Sequence, residues 1–444
     1  MDSAKNWIPS PLAIAFLLLF FVALMAILFF QPENVGLADH AAQVFEHAYG
    51  GMWGEGGLSF LVQMALMLVL GHILALSSPV QNFIGRILSK IHNSRTAVIC
   101  TCLVAMLAGF INWGFGLILG AVFAKAIMDH FSERKIPHNA ALIAACGYTG
   151  LLVWHGGISG SSLIKVAEPG HLASLAPELF DGNQILDASK TIFNPINLLV
   201  FLVVLGSITA CALWLSKKAP PLSLATSKRN TEETQPSTKG LDGNFWVALI
   251  IGVMVLIGSV YLICTSKGGL SFLNPNYINF TLLGLGILMH KSLNRFSEAL
   301  EQAISGSSGI LIQFPIYFAI MGIMGGSGMV SELANFFVEH ASQESLPLFT
   351  FFSAGLINLF VPSGGGQWMI QGPIIIESCQ QLGIPLEKGV LALAYGDQLT
   401  NMLQPFWALP LLGITKVKAS QLLPFTFYFF LVGLVVYGLS LLVS

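Results

Sequence analysis

Apolar stretches close to the length that crosses a bilayer, about 20 residues, recur along this chain at 11–30, 57–77, 194–215, 244–265, 276–290, 308–325 and 421–443. Polar residues gather at the joints between them, which predicts membrane-spanning helices. Segments 80–93 and 329–341 look amphipathic. In the first, Val80, Phe83, Ile84, Ile87, Leu88 and Ile91 recur at helical spacing. Such helices are expected to lie along the membrane surface.

Two further apolar passages are interrupted, and they match one another. Gly109-Phe110-Ile111-Asn112 opens one and Gly355-Leu356-Ile357-Asn358 the other. An Ile-Pro pair follows in each (Ile136-Pro137, Ile384-Pro385), then a Gly/Tyr signature, Gly147-Tyr148-Thr149 and Tyr395-Gly396-Asp397. Each then breaks into small and polar residues, Trp154-His155-Gly156-Gly157-Ile158-Ser159-Gly160 and Asn401-Met402-Leu403-Gln404-Pro405. Gly/Pro-interrupted segments at corresponding places in two halves are the sequence pointer to a transport site. Each half is therefore predicted to hold a re-entrant hairpin, 96–129 and 345–382, followed by a broken transmembrane helix, 138–164 and 387–412.

Composition narrows the class. Of 444 residues, 55% are hydrophobic and 9% charged, with mean hydropathy +0.75. Soluble domains carry about 25% charged residues, so the expected class is an all-α polytopic membrane protein. The run 11–30 is longer than a signal-peptide core and lacks an A-x-A-like cleavage site, so it is read as a retained span. The six cysteines lie in apolar segments and are read as small packing residues.

Charge orients the helices, because cytoplasmic loops collect Lys and Arg. Loop 31–56 holds Glu33, Asp39, Glu46 and Glu55 with no Lys or Arg and is placed outside. Arg86, Lys90 and Arg95 mark the next connection as inside, yet Lys125, Arg134 and Lys135 follow 96–129. Both flanks of that segment are basic, so it enters and returns, with its tip near Asn112-Trp113-Gly114. The acidic loop 168–187 falls outside. Loop 216–243, rich in Pro, Ser, Thr and Lys, is a cytoplasmic linker with Lys217, Lys218, Lys228, Arg229 and Lys239. The second hairpin then enters from outside. Of the 20 Lys and Arg only Lys165, Lys190, Lys267 and Lys388 end up outside. Residues 1–215 and 266–444 are thus predicted to be two inverted repeats, with 244–265 an extra span that turns the second over. The N-terminus is expected in the cytoplasm and the C-terminus in the periplasm.

Hairpin tips and helix breaks at membrane depth must be buried in protein or line a polar cavity. Helix N-termini aimed at the midplane suit a carboxylate, and C-termini with unwound carbonyls suit Na⁺ or a protonated group. The first tip offers Asn112, Trp113 and Gly114. The second offers Ser363, Gly364, Gly365, Gly366 and Gln367, an anion cradle in form that equally resembles a plain turn. These residues, with His155 and Ser159 of the first break, are the candidate substrate-binding set. Asp397, deep in an apolar run, is a candidate proton carrier or Na⁺ ligand, or else a structural hydrogen-bond acceptor. Thr400, Asn401, Asn358 and Thr149 complete the coupling-ion set. His155 is either a neutral interior histidine or a titrating one. No nucleotide-binding motif, metal-ligand cluster or Ser-His-Asp spacing occurs, so no enzyme is expected. No cofactor is expected, nor any metal other than Na⁺ as the coupling ion, nor a nucleic-acid partner.

Val361-Pro362-Ser363-Gly364-Gly365-Gly366-Gln367-Trp368 and the run Tyr395-Gly396-Asp397-Gln398-Leu399-Thr400-Asn401-Met402-Leu403-Gln404-Pro405-Phe406-Trp407 closely resemble the bacterial short-chain fatty acid transporter family. The first-half signatures at 109–116 and 154–161 fit it too, so the likeness covers essentially the whole chain. That family is grouped with the ion transporter superfamily, whose hairpins carry Ser-Asn-Thr tips. Here Asn112 lacks the flanking Ser and Thr, and Ser363 stands before glycines, which weakens any transfer of dicarboxylate specificity or of a copied Na⁺ site. The resemblance implies an elevator mechanism and a homodimer. The expected function is secondary transport of a short monocarboxylate such as butyrate or acetoacetate across the bacterial inner membrane, coupled to H⁺ or Na⁺. The expected partners are the lipid bilayer and that substrate, whose acyl tail would lie on Trp113 or Trp368. The alternative is a cation/proton antiporter without an organic substrate.

Overall fold

The computed structural model of the chain describes residues 11–182, 184–223, 240–265, 275–304 and 308–443. Lys5, Lys228, Arg229, Lys239 and Lys267, which enter the charge pattern, lie outside the described residues. Helices α1 (Pro11–Phe29), α2 (Leu37–Trp53), α3 (Glu55–Leu76) and α4 (Ser78–Leu88) lead into a helical hairpin, α5 (Ser94–Ile111) and α6 (Trp113–Glu133). Next come α7 (Ala140–Tyr148), a 3₁₀ turn (Thr149–Leu152), α8 (Ser161–Val166), α9 (His171–Leu175) and α10 (Pro195–Lys218). The second half follows α11 (Phe245–Thr265) with α12 (Pro275–His290), α13 (Leu293–Ile304), α14 (Ser308–Gly326) and α15 (Met329–Glu339). A second hairpin, α16 (Leu346–Asn358) and α17 (Gly364–Gln381), precedes α18 (Leu386–Thr400), a 3₁₀ turn (Asn401–Leu403), α19 (Pro405–Thr415) and α20 (Ala419–Val443). Among the described residues there is no strand, only one isolated bridge between Asn139 and Leu222.

Seven helical stretches among the described residues are long and apolar enough to cross a membrane, α5 and α6 included. The protein is a multi-pass, all-α membrane protein. Helices α1 and α11 are apolar on every side yet mostly exposed, which places lipid around them, whereas α7 is apolar and wholly buried. Short polar residues start the helices. The side-chain oxygens of Asn93, Asn112, Asn139, Asn194 and Ser363 accept first-turn N–H groups of α5, α6, α7, α10 and α17.

One expectation needs correction, and one helix lies where no element was expected. Loop 31–56 is not a loop, because it carries α2. The acidic Asp39 and Glu46 that mark it as polar sit on its exposed side, while His40 and Val44 are buried. Small residues on its other side let α2 meet α14: a Cβ on Gly51 would lie 2.3 Å from the Phe318 carbonyl oxygen, and one on Gly322 2.2 Å from that of His47. The connection after 276–290 likewise carries α13, whose Ala299 and Ala303 are buried beneath a face of Glu298, Glu301 and Gln302. In both places charged residues mask a one-sided helix that only its packing partner reveals.

The central packing is backbone on backbone. In the first hairpin a Cβ on Gly116 would sit 2.4 Å from Gly109 Cα, and one on Gly120 3.1 Å from Ala105 Cβ, so α5 and α6 run antiparallel in contact. Helix α7 and its 3₁₀ turn press into this pair, with Gly150 against Gly109 and Gly147 against Gly120. In the second half Gly396 of α18 meets the Phe351 carbonyl of α16 at 2.1 Å on the same measure. Each hairpin thus clasps the interrupted helix that follows it.

Candidate functional site

Both interrupted helices unwind where the two halves meet, and their polar residues bind across that seam. His155 Nδ1 lies 2.6 Å from Asp397 Oδ2, with both side chains fully buried. The other ring nitrogen, Nε2, accepts the Ser162 backbone N–H at 3.1 Å and lies 2.9 Å from the Ser162 hydroxyl. A backbone N–H can only donate, so Nε2 is the acceptor and the proton sits on Nδ1, donated to Asp397. The imidazole is therefore the Nδ1–H tautomer in this arrangement, with its proton directed at Asp397. Its second oxygen, Oδ1, is buried without a hydrogen-bond partner.

Further bonds hold the seam. Gln398 Oε1 accepts the N–H groups of His155 and Gly156 at 2.9 and 3.0 Å. Asn197 of α10 donates to the carbonyls of Gly156 and Ile192 and accepts the Tyr395 hydroxyl at 2.9 Å. Tyr148 donates to the Asn401 carbonyl at 2.8 Å, with Gln404 O at 3.3 Å, and Tyr437 donates to Leu152 O. These phenols donate to carbonyls in and beside the two 3₁₀ turns. Tyr148→Phe is expected to lower stability by about 1–2 kcal/mol and to speed amide exchange at 401–404. Unchanged exchange there would show that the hydroxyl does not hold the break.

The second tip rests on the first break. A Cβ on Gly364 would come within 2.7 Å of His155 Cε1 and 2.9 Å of Trp154 Cη2, and one on Gly365 within 3.8 Å of Ser161. Gly364 and Gly365 form the first turn of α17, where N–H groups have no carbonyl within the helix to reach. Ser363 Oγ accepts from Gly366 N at 3.2 Å and so caps the helix. The structure thus gathers Asp397, His155, Gly364, Gly365 and Ser363 in one place.

The other expected residues bond locally or tie the hairpins to the elements around them. At the first tip, the Asn112 side-chain oxygen accepts from Phe115 N, Trp113 N–H donates to Ser159 Oγ at 2.9 Å, and Gly114 packs on Met67. Asn358 Nδ2 donates to Asp397 O, Thr400 Oγ1 and Asn401 Oδ1, joining the second hairpin to the second break. Gln367 ties α17 to α16 through Ala354 O, and Thr149 bonds its own helix at Cys146 O. Trp368 is fully buried, and its indole N–H donates to His171 Nε2 at 2.9 Å. Burial, and after it Lys165, hold the His171 imidazole below its ordinary value, which keeps it a neutral acceptor. Sequence reading passed over Gln398 and Asn197 as site residues. Asn197 is a carboxamide inside an apolar span, and such residues face a bundle interior, which is the signal that points to it.

The chain matches the model of the short chain fatty acid transporter family over residues 1–443. It is 33% identical over 439 residues to a protein of Escherichia coli (strain K12) whose name assigns it provisionally to short-chain fatty acid transport, covering 94% of this chain and 92% of that one. A Haemophilus influenzae protein of the same name is also 33% identical over 439 residues, covering 95% and 93%. Among solved structures, the Alcanivorax borkumensis YdaH transporter, described as having an unusual topology, aligns with a TM-score of 0.45 at 15% identity over 97% of this chain and 98% of its own. Neisseria gonorrhoeae MtrF, described among antimetabolite efflux pumps, aligns with a TM-score of 0.38 at 15% identity, covering 98% and 95%.

Proposed function

Because this chain belongs to the short-chain fatty acid transporter family, we propose that it carries a short monocarboxylate, such as butyrate or acetoacetate, across the bacterial inner membrane by symport with a monovalent cation. The observation that carries this reading is the buried Asp397, held on one oxygen by a neutral His155 and unpartnered on the other, with His155 itself against the first turn of α17. The substrate carboxylate sits at that first turn, on the Gly364 and Gly365 amides and Ser363, where the helix end favours an anion. A second negative charge so near Asp397 is unfavourable at low dielectric. Neutralising Asp397 with H⁺ or Na⁺ therefore favours substrate binding, and by reciprocity substrate favours the cation. That mutual dependence is the basis of symport. A cation/proton antiporter would use Asp397 but leave the α17 first turn without a task.

The Lys and Arg distribution supports a cytoplasmic N-terminus, a periplasmic C-terminus and two inverted repeats. Re-entry of the second hairpin is supported by α16, whose 13 residues span only about 20 Å against a hydrocarbon core of about 30 Å. The resemblance adds an elevator motion in a homodimer. The deciding measurement is uptake of labelled butyrate into proteoliposomes under a pH gradient and, separately, a Na⁺ gradient. One of the two is expected to drive accumulation and so identify the cation. No carboxylate uptake under either would sink the reading.

A further inference from the structure

We propose that the indole N–H of Trp154 is a hydrogen-bond donor to the substrate carboxylate, and that the rings of Phe60, Trp113, Phe314 and Trp407 form the subsite for its acyl tail and set the accepted chain length. This rests on the transport reading above. Trp154 is only 4% exposed, and its Nε1 is buried without an acceptor. An indole nitrogen can only donate, and a buried donor without a partner is rare in folded proteins. The ring is held on two sides. Its face stacks on His155 at 4.5 Å and 19°, and its Cη2 edge occupies the space a side chain at Gly364 would need. Its other ring neighbour is Trp113, 6.2 Å away at the first tip. Trp154 thus stands between the two tips, next to the anion-favouring first turn of α17.

Beyond Trp113 lies a cluster of aromatic rings. Trp113 meets Trp407 at 5.2 Å and Phe60 at 6.2 Å, and Phe60 meets Phe314 and Trp407 at 6.1 Å each. Trp113, Phe314 and Trp407 are buried, while Phe60 is half-buried. A single fixed donor at one end and ring surface at the other matches an amphiphile with a carboxylate head and a short apolar tail. Each methylene buried among these rings is worth roughly fourfold in affinity, so the size of the aromatic enclosure selects chain length.

The test measures uptake of acetate, propionate, butyrate and hexanoate by full-length protein in proteoliposomes. Trp154→Phe keeps a ring on His155 but removes the donor. It is expected to raise KM about tenfold for all four acids alike, with Vmax changed by less than about threefold. Phe60→Ala and Trp407→Ala are expected to shift the hexanoate-to-butyrate preference about tenfold toward hexanoate. A Trp154→Phe variant with wild-type KM, or one whose KM change depends on chain length, would overturn the donor role. Unchanged preference in both enclosure variants would overturn the tail subsite. Should Trp154→Phe fail to fold, Trp154→His, which retains a ring N–H, takes its place: a wild-type KM supports the donor, and a raised KM overturns it. A wild-type protein that transports no carboxylate brings down the transport reading itself. Normal wild-type transport with unaltered variants brings down only this proposal.

Discussion

Asp397→Asn is expected to abolish gradient-driven accumulation of butyrate, by roughly a hundredfold, the upper end of ordinary coupling between two sites, while butyrate–butyrate exchange persists. The substitution is isosteric, and the new side-chain oxygen can still accept the Nδ1–H of His155, which lies 2.6 Å from the carboxylate in the wild type. Backbone anchors such as Asn358 Nδ2 on Asp397 O do not depend on the carboxylate. The fold should therefore survive. What disappears is the deeply buried carboxylate that a cation can neutralise, so the site is locked in the electrical state of its cation-loaded form. Substrate binding then no longer depends on H⁺ or Na⁺. Counterflow and gradient-driven uptake, measured on the same proteoliposomes, separate the outcomes. Wild-type accumulation would show that Asp397 is a structural acceptor, and loss of all exchange would favour the antiporter.

Gly120→Ala is expected to cost about 3 kcal/mol of stability, the upper range for overpacking. The added methyl would lie 2.1 Å from the Gly147 carbonyl oxygen and 3.0 Å from its carbon, both backbone atoms that no side-chain rotation can move. Helices α6 and α7 would have to part, and with them the clasp of the first hairpin on its interrupted helix. Gly206→Ala in α10 is the control, since nothing lies within 4 Å of the new methyl. There the alanine should gain about 0.5–1 kcal/mol from helix propensity. Thermal unfolding of the two variants in detergent should move in opposite directions, and equal midpoints would refute the close-packing account.

Membrane class, the two interrupted helices and most helix positions were legible in the sequence because each rests on local chemistry. Apolar length sets a span, Pro and Gly break it, and Asn or Ser caps the next helix. The apolar runs 194–215 and 244–265 appear as Pro195–Lys218 and Phe245–Thr265, and the breaks fall at Thr149–Leu152 and Asn401–Leu403. Family membership was legible too, carried by the runs 361–368 and 395–407 and then established by whole-chain similarity. Helices α2 and α13 escaped because their charged faces imitate loops, and only α14 and α3 supply the surfaces that make those faces one side of a helix.

The site divides along the same line. Polarity at membrane depth singled out Asp397, His155 and Asn358 as residues with chemistry to do, since an apolar surrounding makes each of them costly to leave unpaired. Which partners they meet depends on contacts across more than 240 positions of chain, such as His155 to Asp397, and no local pattern encodes such a pairing. Only the tertiary structure decides that Trp368 is bound to His171, that Trp154 stands between the tips with a free N–H, and that Asp397 keeps one oxygen unpartnered. The sequence by itself determined what must be buried in this membrane protein. The packing of two halves against each other determined what each buried group faces, because hydrogen bonds and ring contacts are set by distance in space and not by distance along the chain.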